Sequence, residues 1–171
     1  FRRHMISIEK TGVTPWLVDL SLRPHLHNFA DVSGAEVAAA AGIEWEALGK
    51  LSRADAAQAM IAGGTRIVQS KQQTGGIAGA MGFGGANGST MACAIMRKLP
   101  LSFPKVMVTP VAATAAVQWY VAESDIAMFP TIVTSLAGAS VATGVLPSGV
   151  HGMLAYTCLA LNLFALSVEI G

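Results

Sequence analysis

Between Val106 and Val168 the chain carries no Lys or Arg and two carboxylates, Glu123 and Asp125. A stretch so poor in charge offers water very little, so most of it has to be buried, and this limits the available folds more than any other feature. The chain as a whole is 53% hydrophobic and 12% charged over 171 residues, enough to build one core without disulfides or a structural metal. A bilayer, the domain core and a subunit interface are the three places where such a stretch is hidden. "GVHGMLAYTCLALNLFALSV", residues 149–168, comes close to the ~20 apolar residues of a spanning helix. Against a bilayer stand His151, Thr157, Asn162 and Ser167, and no Lys or Arg follows to anchor the end. The expectation is burial in the core or in a homo-oligomer, most simply a dimer, rather than in a membrane.

A formal net charge of +1 gives no surface suited to nucleic acid and no solvated acidic tail. Cys93 and Cys158 are far apart and lack CxxC spacing; they read as small buried hydrophobes in a reducing, cytoplasmic protein. "FRRHMISIEK" at the start is an amphipathic helical segment without the layout of a secretory signal. It reads as the truncated beginning of a domain.

Strand and helix signals alternate along the chain. Residues 1–11 read as a helix and "VTPWLVDL" as a strand, with Pro15 favouring an edge position. Ser33 and Glu36 form a capping-box pair before "VAAAA", and Ser52 with Asp55 starts a helix running to about Gln73. Gly63 and Gly64 in its middle point to close packing against a neighbour. "IAGAMGF", "PKVMVT" and "SDIAMF" read as strands, with helices over "STMACAIMRKL" and 113–121 between them. This order predicts an α/β fold, a doubly wound and mostly parallel sheet in a Rossmann-like three-layer sandwich. Residues 1–160 form the domain, and residues 161–171 a carboxyl-terminal strand that opens a second half-domain or is swapped between copies.

Residues 79–88, "GAMGFGGANG", hold five glycines between a buried strand and a helix beginning near Ser89. A strand-to-helix loop of this kind lies at the carboxyl edge of a parallel sheet, where open α/β folds bind ligands. Glycines there reach positive φ and let main-chain N–H groups come close to an anion, to which the helix start adds its own donors and dipole. Asn87, Ser89 and Thr90 add hydrogen-bonding side chains, or cap the helix. Neither GxGxxG, blocked by Asn87, nor a P-loop, which needs a lysine where Gly88 stands, is present. A tight packing turn with a cap is the plain alternative.

"GFGGANGSTMACAIMRKLPLSFPKVMVTPVA", followed by "SDIAMF", resembles the amino-terminal ATP-binding region of the tomato mosaic virus resistance protein family, and the likeness extends loosely upstream through "LVDLSL" and "ADVSGAEVAAAAG". The resemblance implies that Gly84, Gly85, Gly88, Ser89 and Thr90 stand in the family's nucleotide loop, with Ala86 and Asn87 in place of a family Ser and Gly. It further implies that Thr109 and Val111 face the same crevice, that Asp125 sits at the start of the next strand, and that the cofactor is ATP, alone or with Mg; Asp125 is counted with the ligand contacts, to a metal or a ribose hydroxyl, with a helix cap as the alternative. The family's first strand has no counterpart here, which leaves a slot in the sheet that "NLFALSVEIG" could fill as a strand.

No triad, metal cluster or paired carboxylate is visible, so a nucleotide-binding or regulatory module is expected ahead of an enzyme. The alternatives are an enzyme working on a small phosphorylated or acyl substrate through Ser89, Thr90 or Cys93, and a structural oligomerisation domain. His25 and His27 lack a third metal ligand, and His151 reads as a hydrogen-bonded structural residue. Trp16 and Trp119 read as core or interface anchors.

Overall fold

Helix starts marked in the sequence by a serine and an acid three residues on are closed in space by those same side chains. A computed structural model describes residues 14–23, 30–130 and 163–166; the expected helix at 1–11, His25, His27, His151 and Cys158 lie outside them. Ser33 accepts from the Glu36 N–H, and the Glu36 carboxylate accepts from the Ser33 N–H at 2.7 Å and hydroxyl at 2.6 Å, opening α1 (Gly34–Ala40). Those bonds favour the ionised acid and hold the Glu36 carboxyl below its ordinary range. Ser52 caps the start of α3 (Arg53–Gln73) through its hydroxyl alone, which accepts from the Asp55 N–H at 3.1 Å and donates to the Asp55 carboxylate at 2.6 Å. Between them a short turn of helix, α2 (Trp45–Leu48), presses Leu48 into the core.

Five strands form one sheet in the order β1 (Trp16–Asp19), β5 (Leu163–Leu166), β2 (Ala80–Phe83), β3 (Lys105–Thr109), β4 (Ala127–Pro130). β2, β3 and β4 are parallel, and β5 is antiparallel to both β1 and β2, so β1 runs in the same direction as β2. β1 takes the edge, and Pro15 stands just before its first residue, where a missing N–H is tolerated. Strands joined by crossover helices make this a Rossmann-like α/β fold.

Alternate residues of the strands point to one layer of helices. Gly82 and Met107 face α4 (Ala86–Met96): a Cβ on Gly82 would stand 2.6 Å from Met107 Sδ, 2.9 Å from Met96 Cε and 3.0 Å from the Ala92 Cβ. α1 and α3 continue that layer. Val18, Leu20, Val37, Met60, Val68, Met91, Ile95 and Met96 fill the space beneath it, all fully buried. α3 crosses α1 at Gly63, whose Cβ position lies 1.9 Å from the Val37 carbonyl oxygen. Arg66 donates to the Ala40 carbonyl and so closes the end of α1 from the side. Met81, Phe83, Val106 and Val108 point to the opposite face, half-buried, with Leu17 fully buried in line with them.

Two boundaries differ from the sequence reading. The helix expected over 113–121 is a 3-10 turn (Pro110–Ala113) and then α5 (Val117–Val121). Pro110 starts the turn in the position where its missing N–H is harmless, and the extended Thr114 ends it. The strand "IAGAMGF" pairs only from Ala80.

No helix among the described residues is long and apolar enough to cross a membrane. Of the apolar stretch 149–168, the described part, Leu163–Leu166, is a strand.

Candidate functional site

α3 and α4 both start at the carboxyl edge of the sheet, and their starts differ. α4 begins at Ala86, three residues earlier than expected, with Gly85 as its N-cap. Its first turn, Ala86–Asn87–Gly88, therefore consists of residues assigned from the sequence to the loop. No side chain caps α4 and no acid lies in its first turn, in contrast to α1 and α3. The leading N–H groups of a helix have no partners within it, so those of Ala86, Asn87 and Gly88 are directed outward with the positive end of the helix dipole behind them.

The glycines of this elbow act by close approach rather than by φ. Among the described glycines the left-handed ones are Gly42 and Gly75, and Gly85 has φ −76°. A Cβ on Gly84 would meet the Gly88 Cα at 3.0 Å, so the bare backbone of the strand end lies against the first turn of α4. At Gly85 a Cβ would meet nothing within 4 Å. The elbow is open there.

Ser89 and Thr109 are fully buried and their hydroxyls are 2.6 Å apart. Thr109 Oγ1 accepts from the Val111 N–H at 3.2 Å, and Ser89 Oγ donates to the Gly85 carbonyl at 2.9 Å. The proton count closes in one direction: Val111 N–H to Thr109, Thr109 to Ser89, Ser89 to Gly85. This chain fastens the end of β3 to the elbow and uses the single donor of each hydroxyl. Thr90, one residue on, is exposed and donates to the Ala86 carbonyl at 3.0 Å.

Arg53 comes to the same edge from α3. With the Asn87 amide oxygen turned toward it, Arg53 donates through Nη2 at 2.6 Å and Nε at 3.0 Å. The sequence reading passed over this residue. Its signal was a cation in the first turn of a helix, where the dipole favours acids. Asp19 was passed over as well: it is buried at the end of β1, and its carboxylate accepts from the Ser21 N–H at 2.8 Å. A carboxylate in the run "LVDL" was its mark.

Gly84, Gly85, Ala86, Asn87, Gly88, Ser89, Thr90, Thr109 and Val111 thus share the carboxyl edge. Asp125 does not, and its assignment to the site is corrected. It precedes β4 at the opposite, amino edge, where its carboxylate pairs with Lys105 Nζ at 2.6 Å and accepts from the Ser102 N–H at 2.7 Å. These bonds lower its pKa, the Lys105 bond most. The Lys105 side chain is fully buried and also donates to the Pro100 carbonyl, so Asp125 is the counter-ion of a buried cation. Parallel strands begin at the amino edge, and a residue at the start of β4 is separated from the elbow by the length of the strands.

Cys93 is the small buried hydrophobe expected from the sequence: it is buried within α4, and burial pushes its thiol up to about 11, which removes it as the nucleophile of the alternative enzyme reading. Of the tryptophans, Trp16 packs on the core beneath the Lys71 ammonium, 5.4 Å from the ring centre, whereas Trp119 is 75% exposed.

The chain is similar over 132 residues to a UPF0261 protein of Rhizobium meliloti, at 37% identity across 77% of this chain and 32% of the relative. To a UPF0261 protein of Clostridium tetani it is 32% identical across 74% of the chain and 31% of the relative. A shorter stretch of 57 residues, 33% of the chain, is 35% identical to 7% of the tomato (Solanum lycopersicum) ToMV resistance protein Tm-1. The chain spans about a third of the length of the bacterial relatives it matches. Residues 3–159 match the family described as "Uncharacterised protein family (UPF0261) N-terminal domain", and the chain belongs to that family.

Proposed function

We propose that this domain binds a phosphate-bearing ligand, an adenine nucleotide such as ATP, with a phosphate seated at the start of α4. One observation carries the reading: α4 starts at an open glycine elbow with neither a side-chain cap nor an acid, whereas α1 and α3 are capped by Ser33 and Ser52. Unpaired main-chain donors with a dipole behind them favour an anion. Arg53, held by Asn87 at the same edge, adds positive charge. The adenine part rests on the family resemblance of the sequence, and the phosphate part on the geometry. The fastened hydroxyls of Ser89 and Thr109 make them supports of the seat rather than ligands. Binding is accordingly favoured over catalysis.

Gly85→Asp tests this with two readouts of opposite sign. The backbone there has negative φ and open space, so the aspartate fits as an N-cap. It takes over the outward N–H groups and stabilises the fold by a few tenths of a kcal/mol. Calorimetric titration with ATP, GTP and inorganic phosphate should show binding to the wild type, with ATP tightest, and loss of all of it in Gly85→Asp at an unchanged or raised Tm. Undiminished ATP affinity in the variant, or no heat from any of the three in the wild type, would refute the proposal.

A further inference from the structure

Asn87 is exposed and is followed by Gly88, the residue without a Cβ. Its amide oxygen accepts twice from one guanidinium, at 2.6 Å from Arg53 Nη2 and 3.0 Å from Arg53 Nε. Charged donors on a carbonyl oxygen leave its carbon more electrophilic, and they steady the negative charge that the oxygen takes up when a nucleophile adds to that carbon. The nucleophile closest along the chain is the main-chain nitrogen of Gly88, which can close a succinimide ring on Asn87 Cγ. Its N–H has no acceptor within α4, whose first bond runs from the Ser89 N–H to the Gly85 carbonyl. No side chain at Gly88 crowds the ring. The Asn87 peptide has to leave its helical angle for the attack; helix ends open locally at lower cost than helix centres, and the N-cap, Gly85, has free space around it.

We propose that Asn87–Gly88 is a self-modification site, at which the Asn87 amide is converted to a carboxylate with the Arg53 guanidinium assisting. The Gly88 nitrogen bonds to Asn87 Cγ and gives its proton to water, while Oδ1 holds the charge against Arg53. Nδ2 then leaves as ammonia, taking a proton from solvent. Water adds to either carbonyl of the succinimide and opens it to aspartate or isoaspartate. One water is consumed and one ammonia released, with no oxidant or reductant. The product puts beside Arg53 the acid that the first turn of α4 lacks. A further consequence rests on the anion reading: the new charge repels a phosphate, so conversion shuts the seat once, in the manner of a timer.

The test follows the full chain by peptide mapping at mildly alkaline pH, with isoaspartate scored by enzymatic methylation. Position 87 should gain the mass of an amide-to-acid exchange, while Asn28 and Asn162, followed by Phe29 and Leu163, stay intact. Arg53→Met, at an exposed position, should slow conversion at least ~10-fold in the folded chain. In urea, where Arg53 no longer faces Asn87, the two chains should convert equally. A folded wild type that stays unconverted while its urea-unfolded form converts fully would overturn the proposal, as would equal rates for the folded wild type and Arg53→Met. Titration with inorganic phosphate before and after conversion reads the consequence. Heat lost on conversion supports the timer and undiminished heat overturns it, whereas no heat from the unconverted chain refutes the anion reading and leaves the conversion standing.

Discussion

Gly63→Ala adds one methyl group at the crossing of α1 and α3, and its cost follows from the distances there. The new Cβ would lie 1.9 Å from the Val37 carbonyl oxygen, 2.9 Å from its carbon and 3.2 Å from the Ala41 nitrogen. That oxygen accepts from the Ala41 N–H, so the methyl lands on a hydrogen bond of α1 and no side chain can turn aside. An ordinary carbon–oxygen contact is about 3.3 Å, so the helices must part by roughly 1.4 Å or α1 must break a bond. Overpacking of this severity costs ~1–3 kcal/mol or more, against ~1 kcal/mol recovered from helix propensity. Gly64→Ala is the control. Its Cβ would meet Ile95 Cδ1 at 2.7 Å and Leu20 Cδ2 at 3.2 Å, both at the ends of flexible side chains, whose displacement costs ~0.5–1.5 kcal/mol. The same propensity gain leaves it near neutral. Urea denaturation followed by far-UV circular dichroism should place Gly63→Ala about 2 kcal/mol below Gly64→Ala, a difference of ~4–8 °C in Tm for a chain of this size. If Gly63→Ala is as stable as the wild type, the closeness of the two helices is refuted.

Ser89→Ala strands the buried Thr109 hydroxyl, while the Gly85 carbonyl keeps the Ser89 N–H, and should cost ~1–3 kcal/mol; adding Thr109→Val should cost less than the sum of the two single changes, read from a double-mutant cycle of unfolding free energies. Asp125 has a folded pKa below its unfolded one, so its stabilising contribution is present above the unfolded value and is lost as pH falls through the folded value. Asp125→Asn should therefore unfold more easily than the wild type at pH 6 and lose less on acidification to pH ~3, and a constant gap across that range would contradict the pairing. In a Cys158→Ser background, Cys93 should stay unmodified by a disulfide reagent at pH 8 until denaturant is added; rapid labelling of the folded chain would show that its thiol is not buried.

Local signals were read well from sequence where one short stretch determines the outcome. The Ser33–Glu36 and Ser52–Asp55 caps, the close crossing at Gly63 and the edge placement of β1 after Pro15 each depend on a few neighbouring residues and on rules of backbone geometry. The start of α4 was misplaced because Gly88 is a poor helix former on its own. It is accepted there because Gly84 lies directly against it, a contact between strand end and helix that no local propensity contains. The Arg53–Asn87 pair joins residues far apart in the chain and depends on α3 and α4 starting at the same edge. The role of Asp125 was open to correction from topology alone, since the start of a parallel strand is opposite the loop that leaves its neighbour. The antiparallel sense of β5 had no signature in "NLFALSVEIG", because four apolar residues pair equally well in either direction.

The bare start of α4 also bears on how selective such a seat can be. Peptide dipoles respond to the size and charge of a guest but carry no pattern by which a base, a sugar or an acyl chain is told apart. In the seat proposed above, discrimination has to come from side-chain atoms, and Asn87 with the Arg53 that donates to it supplies two polar groups for it. On that proposal, neutral exchanges at Asn87 should alter which molecule is preferred while the dipole of α4 keeps its attraction to negative charge, and exchanges at Arg53 should weaken that attraction as well.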